Sequence, residues 1–142
     1  MKKIMFIACL WLSYPVLAQD KSRVVDNKVH YIVMQFTSGD SLQQRGIMTQ
    51  LGNIREAWPN AKVEVVCHSG GLDLLTTKKS KVAEQIAEFY KQGIVFAACA
   101  NTMRLRNVKK EELVPTHTII PSAMIELVQK QEAKWSYVKG GF

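Results

Sequence analysis

The sequence predicts an α/β fold, with a mostly parallel sheet of about five strands and helices on both faces. Short apolar, β-branched runs alternate along the chain with segments whose apolar residues recur at helical spacing. The run at 94–99 is apolar throughout, as expected for a central strand covered on both sides. Because parallel neighbours require crossover connections, this alternation within one small domain favours a parallel sheet.

The first predicted element is a secretory signal peptide over residues 1–18. Two lysines precede an uncharged apolar stretch that ends in Val-Leu-Ala, and we expect cleavage after Ala18. A buried N-terminal helix is the alternative, but such a helix would usually show polar positions on one face. Cys9 has too little apolar sequence ahead of it for a lipoprotein signal. The mature domain is therefore expected to span residues 19–142 and to be periplasmic or secreted.

The composition of the mature domain limits its partners. The chain has 19 basic and 12 acidic side chains, and loss of the two N-terminal lysines lowers the net charge from +7 to +5. We interpret its small basic clusters as solvated faces and expect no nucleic acid partner. No second apolar run approaches membrane-spanning length, so we expect no membrane association after cleavage. Only Cys67 and Cys99 remain, so the core, and not a disulfide scaffold, must hold the fold.

The first half of the domain predicts two strands and the helix between them. Residues 28–36 read as a buried strand that ends in a turn. A capping box beginning at Asp40 then starts a helix, and Pro59 stops its apolar pattern. Residues 62–68 predict the second strand, which the Ser-Gly-Gly turn at 69–71 ends.

The second half continues the alternation. Ser80 is predicted to cap an amphipathic helix that Gly93 ends, and the strand at 94–99 follows at once. Asn101 and Thr102 are placed to cap the next helical turn. The remaining predicted elements are a short helix over 107–113, a strand over 117–120, a helix with Pro121 in its first turn and a strand over 135–138.

The candidate functional residues follow the ends of the predicted strands. In open α/β sheets, ligands bind beyond the carboxyl ends of the strands. A cysteine at a strand end that begins a helix lies near free backbone N–H groups, which favour the reactive thiolate. Cys99 fits this description, and Arg104 or Arg106 could strengthen the effect if either points back toward the sulfur. The alternative is that Cys99 is a small core hydrophobe.

Cys67 and two histidines leave further alternatives open. If the second and third strands are neighbours, Cys67 and Cys99 share an edge, and a structural or redox-active disulfide is conceivable. The alternative is that Cys67 is a buried thiol at the strand end and that His68 faces the other way. His68 or His117 could act as a base for Cys99 or be a polar loop residue. Adjacent strand residues diverge and no Cys-x-x-Cys pair is present, so we expect no metal site.

The most specific motif is the run at 93–103. It resembles the Gly-Val-x-Phe-x-x-Cys-x-Asn-Thr stretch of the DsrE/DsrF-like family, proteins associated with intracellular sulfur transfer. Residues 63–75 are similar to that family's second strand and glycine loop, and 125–139 to its C-terminal helix and strand. The resemblance implies a three-layer α/β/α domain that assembles into a homo-oligomer, a trimer or hexamer, and carries sulfur as a persulfide on one cysteine.

Only Cys99 matches that cysteine. The implied mechanism is attack of its thiolate on a donor persulfide and transfer of the sulfur to an acceptor thiol, without a metal or organic cofactor. A signal peptide departs from the family's intracellular setting. A non-catalytic oligomeric binding or scaffold module, or a thiol–disulfide protein using both cysteines, is therefore an alternative. The supporting residues are expected to be Asn101, Thr102, Arg104, His68 and Cys67.

Overall fold

The computed structural model describes residues 25–115 and 117–142. The predicted signal peptide and Cys9 lie outside these residues. Within them, no helix is both long and apolar enough to cross a membrane. The strands are β1 (Tyr31–Phe36), β2 (Lys62–Cys67), β3 (Val95–Cys99), β4 (Thr118–Ile120) and β5 (Ser136–Lys139). The α-helices are α1 (Ser41–Ala57), α2 (Ala83–Lys91), α3 (Ala100–Leu105) and α4 (Ala123–Glu132), and two 3-10 helices span Ser69–Leu75 and Lys110–Glu112.

The strands form one sheet in the order β4-β3-β2-β1-β5, and every neighbouring pair is parallel. Helices α1 and α2 pack their buried apolar side chains on one face, and α4 covers the other. The predicted α/β fold with helices on both faces is confirmed. Because every strand runs in the same direction, all five carboxyl ends lie at one edge of the sheet.

Two faces with separate apolar cores follow from the alternation of side chains along each strand. Phe36, Val65 and Phe96 belong to the core under α1 and α2. Val33, Val66 and Ala97 belong to the smaller core under α4. We call the surface under α4 the α4 face and the opposite surface the α1 face.

Two predicted helix ends are confirmed, but the capping box predicted from Asp40 is only half formed, because Gln43 Oε1 accepts from the Phe142 N–H at 2.8 Å. The Asp40 carboxylate accepts hydrogen bonds from the backbone N–H groups of Leu42 and Gln43, at 2.8 and 3.0 Å, and α1 begins at the next residue after Asp40. Gly93 follows α2 with a φ of 81°, a left-handed conformation in which glycine carries no Cβ penalty.

The predicted start of α2 is wrong by two residues. Ser80 does not cap it, because Val82 occupies the N-cap position and α2 begins at Ala83. The preceding segment is held as a turn, since the Lys81 N–H donates to Gln44 Oε1 of α1 at 2.8 Å. A contact between distant segments thus shortens the helix.

Two later boundaries also differ from the predictions. Only residues Lys110–Glu112 of the predicted helix over 107–113 are helical, because Asn107 takes a left-handed φ of 51° and Leu113 forms an antiparallel bridge with Thr76. Pro121 lies outside the first turn of α4, since Ser122 is the N-cap residue. The fixed φ of proline therefore sets the approach to the helix and not its first turn.

A buried ion pair lies between the sheet and α4. The Lys130 ammonium of α4 is 2.5 Å from the Glu64 carboxylate of β2 and lies 4.2 Å from the ring centroid of Trp135. Burial raises the pKa of Glu64, and the hydrogen bond from Lys130 opposes that rise. The pair ties α4 to the central strand of the sheet.

Candidate functional site

Cys99 ends β3 and is itself the N-cap residue of α3. Its side chain lies on the α4 face, in the small core with Ile120, Ala123 and Leu127, and the residue is 4% exposed. The predicted strand-to-helix position of this thiol is therefore confirmed. The sulfur lies between the sheet and the start of α4.

Polar hydrogens converge on the Cys99 sulfur from two helices. The N–H of Ala123, the first residue of α4, donates to Sγ at 3.3 Å. The N–H groups of Asn101 and Thr102 and the Thr102 hydroxyl, at the start of α3, also lower the pKa of the Cys99 thiol. Burial raises the pKa of the Cys99 thiol, but these donors outweigh it and leave the pKa below its ordinary value.

Asn101 and Thr102 contribute differently from the prediction. Cys99 takes the N-cap position, so both residues lie inside the first turn of α3 and neither caps it. Thr102 is 8% exposed and accepts a hydrogen bond from the Ser69 N–H at 3.2 Å, whereas Asn101 is exposed. Their effect on the pKa of Cys99 comes from first-turn N–H groups, which a helix leaves without intrahelical partners, and from the Thr102 hydroxyl.

Cys67 lies on the other side of the sheet. Strands β2 and β3 are neighbours, as considered above, but the register pairs Cys67 with Ala98, so Cys99 points to the opposite face. Cys67 is fully buried in the core of the α1 face, and that burial raises the pKa of its thiol. Both cysteines are free. The structure does not bring the two sulfurs together, so the conceivable disulfide does not fit this fold.

His68 faces away from Cys67 and belongs to a row of polar side chains at the carboxyl edge. Its Nε2 accepts a hydrogen bond from Gln35 Nε2 at 2.8 Å, and its Nδ1 lies 3.0 Å from Ser69 Oγ. The Tyr137 hydroxyl donates to Gln35 Oε1. With Nε2 accepting, Nδ1 carries the proton, and burial lowers the pKa of His68.

Gln35 and Tyr137 are site residues that were not predicted from the sequence. Gln35 interrupts an otherwise apolar strand two residues before the turn. A polar residue at such a position could have indicated that its side chain belongs to a functional site. Tyr137 comes beside Gln35 only because β5 pairs with β1. The pairing of β1 with β5 joins residues far apart in the sequence, so no local sequence pattern predicts it.

Neither arginine strengthens the Cys99 site in the expected way. Arg106 donates to the Ser69 carbonyl at 2.7 Å and forms an ion pair with Asp73 at 2.5 Å. Arg104 is exposed on α3, and the groups that lower the pKa of Cys99 are N–H and hydroxyl donors. Asp73, the partner of Arg106, was also not predicted from the sequence.

The residues considered as metal ligands are dispersed. Cys67 and His68 diverge, and His117 Nδ1 lies 2.5 Å from the Val114 carbonyl. Across residues 25–115 and 117–142, no three histidine, cysteine or acidic side chains are grouped so that they could hold a metal ion.

The sequence model of the DsrE/DsrF-like family matches residues 29–139 of this chain. That range includes all five strands and every candidate residue described above. No curated protein matches the chain.

Two solved structures share the fold. One is a protein of unknown function, MTH1491 from Methanobacterium thermoautotrophicum, with a TM-score of 0.74 and 23% sequence identity over 78% of this chain and 98% of that one. The other is the ychN protein from E. coli, with a TM-score of 0.63 and 14% identity over the same shares of the two chains. At these identities the likeness shows the fold alone.

Proposed function

The chain belongs to the DsrE/DsrF-like family, and on that basis we propose that it is a sulfur carrier that holds sulfane sulfur as a persulfide on Cys99. The family as a whole is associated with sulfur relay. The observation that carries the finer proposal is the position of Cys99 at the N-cap of α3, where the Ala123 N–H of α4 donates to its sulfur at 3.3 Å and donors at the start of α3 lower the pKa of the thiol. These donors stabilise negative charge on that atom, and the thiolate is the reactive form of cysteine.

The proposed loading step is a displacement at sulfur. The Cys99 thiolate attacks the terminal sulfur of a donor persulfide, R–S–SH, and a bond forms between Sγ and that sulfur. The S–S bond of the donor breaks and the donor leaves as the thiolate R–S⁻, so Cys99 becomes Cys99–S–SH. One sulfur atom moves without any external oxidant or reductant, and the step needs no cofactor.

Unloading reverses the roles of the two sulfurs. An acceptor thiolate attacks the terminal sulfur, the Sγ–S bond breaks, and Cys99 leaves as a thiolate. A thiol with a lower pKa leaves faster in such exchanges. The donors that activate Cys99 for attack therefore also favour its departure, as a carrier requires.

Loading with sulfane sulfur tests the proposal. After incubation of domain 19–142 with a low-molecular-weight persulfide and removal of the donor, we expect about one cyanide-labile sulfur per chain. Cys99→Ala should reduce this to background because no other described thiol has comparable activation. The readouts are cyanolysis and intact mass, in which a persulfide adds the mass of one sulfur atom.

Cys67→Ala is the matched control for this experiment. It removes the other thiol of the domain, whose pKa is raised by burial, and it leaves the α4 face untouched. This variant should load as much sulfur as the parent. Equal loading of Cys99→Ala and the parent would contradict the proposal, and an unloaded parent would favour a non-catalytic binding or scaffold module of the same fold.

Assembly and export are further parts of the proposal. We propose a homo-oligomer, a trimer or hexamer, because Met124, Ile125 and Val128 of α4 are each more than half exposed and an assembly would cover them. Sedimentation of domain 19–142 should give a multiple of the monomer mass; a monomer at all concentrations would contradict this.

The composition of residues 1–18 supports export. Expression of the full chain in a Gram-negative host should therefore place in the periplasm a protein whose first residue is Gln19. A cytoplasmic product that keeps residues 1–18 would exclude export in that host.

A further inference from the structure

The polar side chains at the carboxyl edge of the α4 face lead, strand by strand, to Cys99. Tyr137 lies on β5, Gln35 on β1 and His68 directly after β2, and the next strand of the sheet is β3, which ends at Cys99. We call Tyr137, Gln35 and His68 the polar row. Tyr137 is exposed and the other two are half-buried, so the row lies at the surface beside the thiol.

His68 and Cys99 are neighbours across two strands. The register pairs Cys67 with Ala98, and the next residue on each strand, His68 or Cys99, still has an extended backbone. Cys67 belongs to the core of the α1 face, so His68 points to the α4 face, as Cys99 does. Because neighbouring strands lie about 4.8 Å apart, these two side chains stand side by side.

The hydrogen bonds of the polar row run in one direction. The Tyr137 hydroxyl donates to Gln35 Oε1, and Gln35 Nε2 donates to His68 Nε2 at 2.8 Å. With Nε2 accepting, the proton of the imidazole is on Nδ1. Burial lowers the pKa of His68, so the ring stays neutral and keeps a single proton at pH 7. The row therefore fixes one tautomer of His68.

The Nδ1–H group of His68 faces the side of the sheet on which Cys99 lies. The two nitrogens are on opposite edges of the ring, so Nδ1 is turned away from Gln35 and β1. Nδ1 lies 3.0 Å from the Ser69 hydroxyl, and the Ser69 N–H donates to Thr102 Oγ1 of α3 at 3.2 Å. Cys99 is the N-cap residue of that helix. Nδ1–H is therefore directed toward β3 and α3.

A ligand can replace Ser69 as the acceptor of this bond. Ser69 is exposed, so water satisfies its hydroxyl once the bond to His68 breaks. The charged side chain on the same strand and face is Glu64, about 13 Å away along β2. Its carboxylate is paired with Lys130 at 2.5 Å and does not compete for Nδ1–H.

We infer that His68 binds the outer sulfur of a loaded Cys99 through its Nδ1–H group. Gln35 and Tyr137 are positioning residues that fix the tautomer this bond requires. A persulfide places its outer sulfur one S–S bond, about 2.0 Å, beyond Sγ, and carries its negative charge there. The inference rests on the proposed function and names the residue that holds the transferred sulfur.

The loaded form for the test is prepared without a persulfide donor. In Cys67→Ala domain 19–142, Cys99 is converted to its mixed disulfide with thionitrobenzoate, and sulfide displaces that group to give Cys99–S–SH. The pH dependence of alkylation by iodoacetamide then gives the midpoint of the outer sulfur. His68→Gln should raise this midpoint by about one pH unit, because a hydrogen bond to a charged acceptor is lost.

His68→Asn is the matched variant. The amide nitrogen of asparagine reaches the position of Nδ1, whereas that of glutamine reaches the position of Nε2, so only His68→Asn keeps a donor for the outer sulfur. Its midpoint should stay close to that of the parent. Equal midpoints in His68→Gln and the parent, or equal upward shifts in both amide variants, would overturn the inference.

A merely structural effect of these substitutions would also move the midpoint of the unloaded thiol. In the unloaded protein Sγ accepts from the Ala123 N–H of α4, and only the outer sulfur is bound by His68. We therefore expect His68→Gln to shift the midpoint of the loaded form more than that of the unloaded form. Shifts of equal size in the two forms would refute the assignment of His68.

Gln35→Met and Tyr137→Phe test the positioning residues. Without the Gln35 amide, nitrogen NMR of His68 should show loss of the Nδ1–H tautomer, and the midpoint of the outer sulfur should rise. Tyr137→Phe should give a smaller change in the same direction, and Tyr90→Phe, at an exposed tyrosine of α2, is its control. An unchanged tautomer in Gln35→Met would overturn the positioning role.

Chemical loading separates this inference from the proposed function. If the parent takes up no sulfur from a persulfide donor, but the chemically loaded form shows these shifts, only the proposed function fails. If the parent loads from the donor and the shifts are absent, only the inference fails.

Discussion

At pH 7, iodoacetamide should modify Cys99 at least about 100-fold faster than Cys67, because only the thiolate reacts and the two thiols have opposite environments. Donors from α3 and α4 lower the pKa of Cys99, whereas Cys67 is fully buried among apolar side chains and its pKa is raised. Cys67 is also 0% exposed, so the reagent reaches it only when the domain opens.

Single-cysteine variants of domain 19–142 make this measurement direct. Cys67→Ala reports Cys99 alone and Cys99→Ala reports Cys67 alone, each followed by intact mass at a series of pH values. The Cys99 midpoint should fall below the value of about 8.5 for a free cysteine. Comparable rates for the two thiols, or a Cys99 midpoint at or above that value, would contradict the electrostatic description of the site.

The sign of the pH effect follows from linkage. The folded-state pKa of Cys99 is depressed, so the stability that its thiolate contributes is present above the unfolded-state pKa. That contribution is lost as the pH falls through the folded-state value. The reactivity of Cys99 and the stability that its thiolate contributes should therefore decline together as the pH decreases through the folded-state pKa.

Lys130→Met should lower the free energy of unfolding by about 3 kcal/mol at pH 7, because removal of one partner leaves a buried charge unpaired. Glu64 has a side chain only 6% exposed and would lose the ammonium 2.5 Å away. Methionine keeps most of the packing of the lysine stem. Urea unfolding followed by tryptophan fluorescence measures the difference.

The loss should shrink to less than about 1 kcal/mol at pH 4, because an unpaired Glu64 takes up a proton and becomes neutral. The pKa of Glu64 is already raised with Lys130 in place, and it rises further without it. Stability that depends on the neutral form is present at low pH and disappears as the pH increases through the folded-state value. The loss of unfolding free energy in Lys130→Met should therefore be small at low pH and grow as the pH increases.

Lys91→Met is the matched control. Its ammonium is 2.8 Å from the Glu88 carboxylate, but the two side chains are 70% and 64% exposed. Exposed pairs contribute about 0–1 kcal/mol, so this substitution should change stability little at either pH. Similar losses for the two lysine variants, or a loss in Lys130→Met that does not depend on pH, would refute the role of the buried pair.

The elements that the sequence predicted are those encoded by local patterns. The Asp40 cap and the left-handed Gly93 each depend on a few adjacent residues, and both were confirmed. The wrong boundaries depend on distant contacts, such as the bond between Lys81 and Gln44 that delays α2. A local pattern contains no information about a residue that arrives from another helix.

The candidate site also has one part that local sequence predicts and another that depends on distant contacts. Cys99 could be identified because a strand and a helix meet at it within a few residues. The Ala123 N–H that contacts its sulfur belongs to α4, 24 residues away, and the Asp73–Arg106 pair spans 33 residues. These partners become neighbours only when the strands assemble.

The sequence by itself determined that this chain forms alternating strands and helices, and that each of two cysteines ends a strand at one edge of a parallel sheet. Only the tertiary structure shows that these two strands are neighbours. Tertiary structure decided which side of the sheet each cysteine faces. Successive side chains alternate between faces, so the face depends on the register of one strand against the next, here Cys67 opposite Ala98. The packing of helices on both faces sets that register. As a result, hydrogen-bond donors at two helix starts lower the pKa of Cys99, whereas Cys67 lies in an apolar core.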